Sequence, residues 1–175
     1  MVYDTAIAQG FSPQAAKLVV AQARFESADY TSNVFKNNNN TSGIKYIGSR
    51  QKNAQQGTLS PEGDYYAKFD TVQDGINDKI VRLYNITMSG VTPQQLKDST
   101  DPNQFADLLK QRRYYGNTAY GTTQATKDIA NYAAGLKAKL LKINIIEFVK
   151  NNKVPLIIGL ILLSVGTFYY FKLKK

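Results

Sequence analysis

Apolar residues recur at helical spacing along most of the chain. Ala15, Val19 and Ala23 share one side of a helix that Ser12 and Pro13 begin, the serine as N-cap and the proline in the first turn, where its missing N–H costs nothing. The spacing carries that helix from Pro13 to about Ser27. The same period groups Ile76, Ile80, Leu83 and Tyr84 after Thr71, then Phe105, Leu108 and Leu109 within 101–113, then Ile129, Tyr132, Ala133, Leu136 and Leu140 within 124–141. A short helix follows Thr92-Pro93. Alternation replaces this period in "DYYAKFD" (64–70), which predicts a strand, and the turn residues of "LSPEGDYY" make it half of a hairpin. "TSNVFKNNNNTSGIKY" (31–46) and the polar run to 64 read as loop with short strands. The pattern predicts a mainly helical α+β domain over residues 1–141 with one small hairpin lobe and no internal repeat.

The pattern changes at the end of the chain. Residues 154–171, "VPLIIGLILLSVGTFYYF", carry no charged side chain, with Lys150 and Lys153 before them and Lys172, Lys174 and Lys175 after. Such a helix is roughly 27 Å long, enough for the hydrocarbon core of a bilayer. Phe168 to Phe171 cluster where an aromatic belt sits, so 154–171 is expected to be a single-pass transmembrane helix, followed by a basic tail at 172–175. Residues 142–153 are amphipathic, expected either to lie along a membrane surface or to continue the preceding helix. Lysines are more numerous before the span than after it, which favours the main domain on the cytoplasmic side. "MVYDTAIAQGFSPQ" lacks the basic region and apolar run of a secretory signal.

Charge changes the picture little once it is located. The net +9 includes +7 from Lys137 onward, so residues 1–136 are nearly neutral and present no clustered basic face for a phosphate backbone; no nucleic-acid partner is expected. The chain has no cysteine and no histidine. Ser-His-Asp triads, Cys-His pairs, disulfides and zinc sites with such ligands are excluded, and no metal or cofactor is called for. Chemistry falls to carboxylates, hydroxyls, lysines and tyrosines.

Glu26 is the carboxylate that stands out, because it continues the apolar face of Ala15, Val19 and Ala23 at the end of its helix. Burial and the negative end of the helix dipole both favour the protonated form, which is what donation to a glycosidic oxygen requires. The competing reading is a structural glutamate satisfied by Arg24 or Lys45.

"AQARFES" (21–27), "NNTSGIK" (39–45), "YAKFDTVQDGINDKIVRL" (66–83) and "LLKQRRYYG" (108–116) are similar, in order and approximate spacing, to the glucosaminidase family of peptidoglycan hydrolases. The resemblance covers about residues 3–140 and implies a lysozyme-like helical fold. That family places its catalytic acid in a helix-ending Glu-Ser pair, which Glu26 and Ser27 match, and follows it with an Asn-Asn-x-Phe-Gly-Ile-Lys stretch, which Asn39, Asn40, Gly43, Ile44 and Lys45 match. This chain departs from it at Ser42, where phenylalanine is usual, and at Ala28-Asp29, where an aromatic residue and glycine are common; these bear on the floor of the cleft.

The resemblance also implies a second carboxylate on the hairpin lobe, for which Glu62 and Asp64 are candidates; Asp29, one turn after Glu26, is a third option or else helps to close the helix end. Glu62 reads equally as an ordinary turn residue in "SPEGD". The family carries a tyrosine in the "RRYYG" region, and Tyr115 is the expected one, with Tyr114 in the core and Tyr65, Tyr66 and Tyr132 as packing. Tyr120, Asn40, Gly43, Lys45 and Asp64 complete the expected glycan-binding set, since aromatic faces stack on sugars and amides bond their hydroxyls. The function expected is cleavage of peptidoglycan strands between amino sugars, of the endo-β-N-acetylglucosaminidase type. A lytic transglycosylase using the same acid, or an inactive wall-binding protein, are the alternatives. A membrane-anchored enzyme of this kind suits a virion that contains a membrane and meets the wall during entry; a holin-assisted lysis enzyme or an unusual export route also fits.

Overall fold

The computed structural model describes residues 1–151. Seven α-helices, one 3-10 turn at Gly48–Arg50 and one two-stranded sheet make up this part. In chain order they are α1 (Val2–Ala8), α2 (Pro13–Glu26), α3 (Asn33–Asn38), β1 (Ala54–Leu59), β2 (Tyr65–Phe69), α4 (Val72–Tyr84), α5 (Pro93–Lys97), α6 (Pro102–Gln111) and α7 (Thr123–Asn151). Among the described residues no helix is long and apolar enough to cross a membrane. The expected span 154–171 and the tail 172–175 lie outside the described residues.

The helix starts follow from local chemistry. Ser12 Oγ accepts from the Ala15 N–H at 3.1 Å, and proline opens α2, α5 and α6. Thr71 with Asp74, and Thr92 with Gln95, form capping boxes in which each side chain satisfies the other's free N–H. The buried face of α2 (Ala15, Leu18, Val19, Gln22, Ala23) belongs to the same core as Ile76 and Ile80 of α4, Phe105 and Leu109 of α6, and Leu136 of α7. Tyr84, fully buried, stands edge-on to Phe11 with ring centroids 5.2 Å apart.

The hairpin is antiparallel, with Ala54 opposite Phe69 and Gln56 opposite Ala67, and a register shift between Gln56 and Leu59. Its turn is closed by the Ser60 N–H on the Asp64 carbonyl at 2.7 Å. The asparagine run, expected as loop, is the joint that holds this lobe. Residues 33–38 are helical, capped by Ser32 on the Phe35 N–H, and Asn39 ends the helix in the left-handed region at φ 53°. Asn38 donates to Thr58 Oγ1 on β1, and Asn39 donates to the Phe69 carbonyl. α1 is likewise a helix that the apolar pattern did not reveal.

The chain divides into two compact units, Met1–Leu141 and Lys142–Lys175. In the second, residues 142–151 are helical.

Candidate active site

Glu26 is the last residue of α2, and its side chain keeps 15% exposure. Tyr114, three residues past α6, donates to Oε2 at 2.5 Å, and Tyr132 of α7 donates to Oε1. Gln22, fully buried one turn earlier on α2, extends the network: its Nε2 donates to the Tyr132 oxygen at 3.0 Å, and its Oε1 accepts from the Tyr84 hydroxyl. Three helices and one loop thus converge on one carboxylate. Burial pushes the Tyr84, Tyr114 and Tyr132 phenols well above their usual range, and the Glu26 charge adds to this. All three therefore remain hydroxyls, able to donate or to accept.

Neither residue expected to satisfy Glu26 does so. Arg24 bonds Asp29 at 2.8 Å, and Lys45 bonds Glu62 at 2.7 Å. The cation that does approach is Lys79 of α4, 1% exposed, with Nζ 3.9 Å from Glu26 Oε2. Burial lowers the Lys79 ammonium to about 8, against the opposing pull of Glu26.

Immediately after Glu26 the chain makes a left-handed turn, with Ala28, Asp29 and Tyr30 at φ 51°, 55° and 64°. None is glycine, so each is strained. Ser27 holds the turn: its hydroxyl donates to the Ala23 carbonyl and accepts from the Tyr30 N–H, and its carbonyl accepts from Thr31 and Ser32. Asp29, weighed as a third carboxylate, is held by Lys139 and Arg24, and the Lys139 bond chiefly lowers its carboxyl to about 2. It tethers the turn and stays ionised.

The remaining expected residues occupy varied places. Tyr115 stacks on Tyr132 with ring centroids 4.1 Å apart, but its hydroxyl donates to the Ala106 carbonyl; the loop tyrosine that reaches Glu26 is Tyr114. Tyr114, expected in the core, and Tyr132, expected as packing and indeed packed on Tyr115 and Phe25, also present their hydroxyls to Glu26. Asn40 is 1% exposed, with its amide spent on the Ile44 and Ala67 carbonyls and its oxygen on the Ser42 and Ile44 N–H groups. It shapes the turn in which Gly43 takes φ 63°. Tyr120 is half exposed and donates to Asp107.

Glu62 sits at the hairpin turn, 66% exposed, its carboxyl brought to about 2 mainly by the Lys45 hydrogen bond. Lys45 also lies over the Tyr66 ring, 4.4 Å from its centroid. Asp64 is exposed in the same turn. Glu26 alone among the carboxylates in question is enclosed by phenols. A cavity of about 640 Å³ borders the loop beyond Tyr115, lined by Arg113, Asn117, Thr118 and Tyr120 among others, and Glu26 does not line it. Among the described residues no acidic cluster has the grouping a metal ion needs.

Sequence reasoning missed Gln22, Lys79 and the role of Tyr132. The signal for Gln22 was present, because a polar residue four before Glu26 stands on the same helical face. Lys79 was findable as a lysine next to Ile80 and three after Ile76 on a buried face.

Compared with known proteins, residues 6–143 match the glucosaminidase family model, described as mannosyl-glycoprotein endo-beta-N-acetylglucosaminidase. No curated protein matches. A chain from the structure of a type VI secretion system effector-immunity complex from Pseudomonas protegens is similar at 19% identity and a TM-score of 0.50, over 80% of this chain and 86% of that one. At that identity the likeness concerns the fold.

Proposed function

The chain belongs to the glucosaminidase family, and from that premise we propose that it is a peptidoglycan hydrolase whose general acid is Glu26. The observation that carries this reading is the enclosure of Glu26 by two phenol hydroxyls, one of them held by the buried Gln22, and by a buried ammonium, on a carboxylate that is still partly exposed. The proton of Glu26 passes to the glycosidic oxygen, the bond from that oxygen to the anomeric carbon breaks, and positive charge develops on the sugar ring. Tyr114 and Tyr132 then donate to the carboxylate left behind, so the new charge forms in a site already arranged for it. Water adds at the anomeric carbon and returns a proton to Glu26.

The group that supports the cationic ring is either the substrate's own acetamido oxygen or Glu62. Glu62 suits the second part in one respect, since its low carboxyl keeps it anionic. Its exposure means that the hairpin lobe would have to close over the glycan for it to act. Transglycosylation, in which a hydroxyl of the substrate replaces water, draws support from the same enclosed acid. The uncharged stretch 154–171 between lysines supports a bilayer anchor for the enzyme.

Muropeptide analysis tests the reading. Purified peptidoglycan is digested with the protein and with Glu26→Gln, which is expected to lose at least about 100-fold in rate. New reducing ends on N-acetylglucosamine establish a glucosaminidase, and anhydro-muramyl ends establish a transglycosylase. Equal cleavage by both proteins, or binding without cleavage by either, overturns the assignment of Glu26.

A further inference from the structure

Lys79 is a buried ammonium with no hydrogen bond. Its side chain is 1% exposed and Nζ has no hydrogen-bond partner, though α4 buries aliphatic residues, Ile76 and Ile80, on the same side. An enclosed cation without hydrogen bonds is costly to keep, and a neutral side chain of similar length would remove the cost. Its charged neighbour is Glu26, with Oε2 3.9 Å away. The other cations around α2 are engaged elsewhere: Arg24 and Lys139 with Asp29, and Lys110 with Asp128.

Resting on the reading of Glu26 as the acid, we propose that Lys79 is a positioning residue that acts through Glu26, its ammonium stabilising the carboxylate left after proton donation and so setting the pH above which the acid is spent. Facing Glu26 are Lys79 from α4, Tyr114 from the segment after α6 and Tyr132 from α7, while Tyr84 of α4 acts through space. The phenols hold their protons throughout the working range, because burial raises all three. Lys79 is therefore the facing group whose charge opposes the burial of Glu26. Replacing it with a neutral side chain leaves that burial less opposed, and Glu26 keeps its proton to higher pH.

The chain makes this measurable, since it has three glutamates, Glu26, Glu62 and Glu147. With glutamate labelled at the side-chain carboxyl with carbon-13, the full chain and its Lys79→Met variant are titrated by NMR. The Glu26 midpoint is expected to rise by about one pH unit in the variant, with Glu62 and Glu147 unmoved. The alkaline fall of kcat/KM on peptidoglycan moves upward with it. An unmoved Glu26 midpoint in folded Lys79→Met overturns the proposal, and Lys79→Gln supplies the same comparison if the methionine variant does not fold. Should the wild-type chain cleave nothing, the reading of Glu26 as an acid fails, whereas the coupling to Lys79 still stands or falls on the NMR midpoint.

Discussion

At the scale of single residues, the site is a balance struck around one carboxylate. Lys79 bears the clearest cost, because burial holds its ammonium at about 8, well below a free lysine at 10.5. Between those pH values the unfolded chain binds a proton that the folded chain does not, so stability rises with pH across the window. The buried cation thus costs about 3 kcal/mol below pH 8, relieved as the pH approaches 10.5. Lys79→Met has no such dependence. Its melting temperature relative to wild type is expected to be several degrees more favourable at pH 7 than at pH 10; a gap that stays constant with pH would refute this assignment. Glu26 was legible in the sequence because a carboxylate on an apolar stripe is a visible anomaly. Tyr114 and Tyr132 were not. Adjacent tyrosines in a loop have no period to show which turns inward, and a tyrosine on an apolar helical face reads as packing until its hydroxyl is seen to meet a carboxylate from another helix.

Elements hold these residues by close approach of backbone to backbone. Gly75 lies in α4, one turn before Lys79, where an added Cβ would stand 2.3 Å from the Asn39 carbonyl oxygen and 3.1 Å from the Phe69 ring. This contact seats α4 against the end of α3 and against β2. In an open helix Gly→Ala is stabilising by about 1 kcal/mol. Here the obstacle is main chain, so Gly75→Ala is expected to lose about 1–3 kcal/mol and to lower the denaturant midpoint without changing the slope. A gain in stability would show that α4 and Asn39 are less tightly seated. The caps of α2, α4, α5 and α6 were legible because Ser, Thr, Asp and Pro carry a local mechanism wherever they fall. The helix at 33–38 was not, since asparagine is a poor helix former and reads as loop; side-chain bonds from Asn38 and Asn39 to the hairpin supply what propensity lacks.

For the whole molecule, the division between Leu141 and Lys142 separates two kinds of chemistry. Among the described residues, every group bonded to or charged against Glu26 lies between Gln22 and Tyr132, and Lys139, which holds the turn after it, also falls in the first unit. The long uncharged stretch of 18 positions and more than half of the net charge lie beyond: residues 142–175 contribute +5 of the +9. If that stretch is a bilayer anchor, a chain ending at Leu141 lacks it while keeping Glu26, its phenols and Lys79. In flotation with vesicles of neutral phospholipid, the full chain is expected to rise with the lipid and a chain ending at Leu141 to stay behind. High salt should not release the full chain, since burial of an apolar helix, unlike attraction of lysines to headgroups, is not screened. On soluble glycan fragments the two chains are expected to turn over within about twofold of one another, because the network that serves Glu26 is intact in both. Release of the full chain by salt would reassign the tail to surface attachment. A large loss of turnover on truncation would mean that the second unit supports the acid.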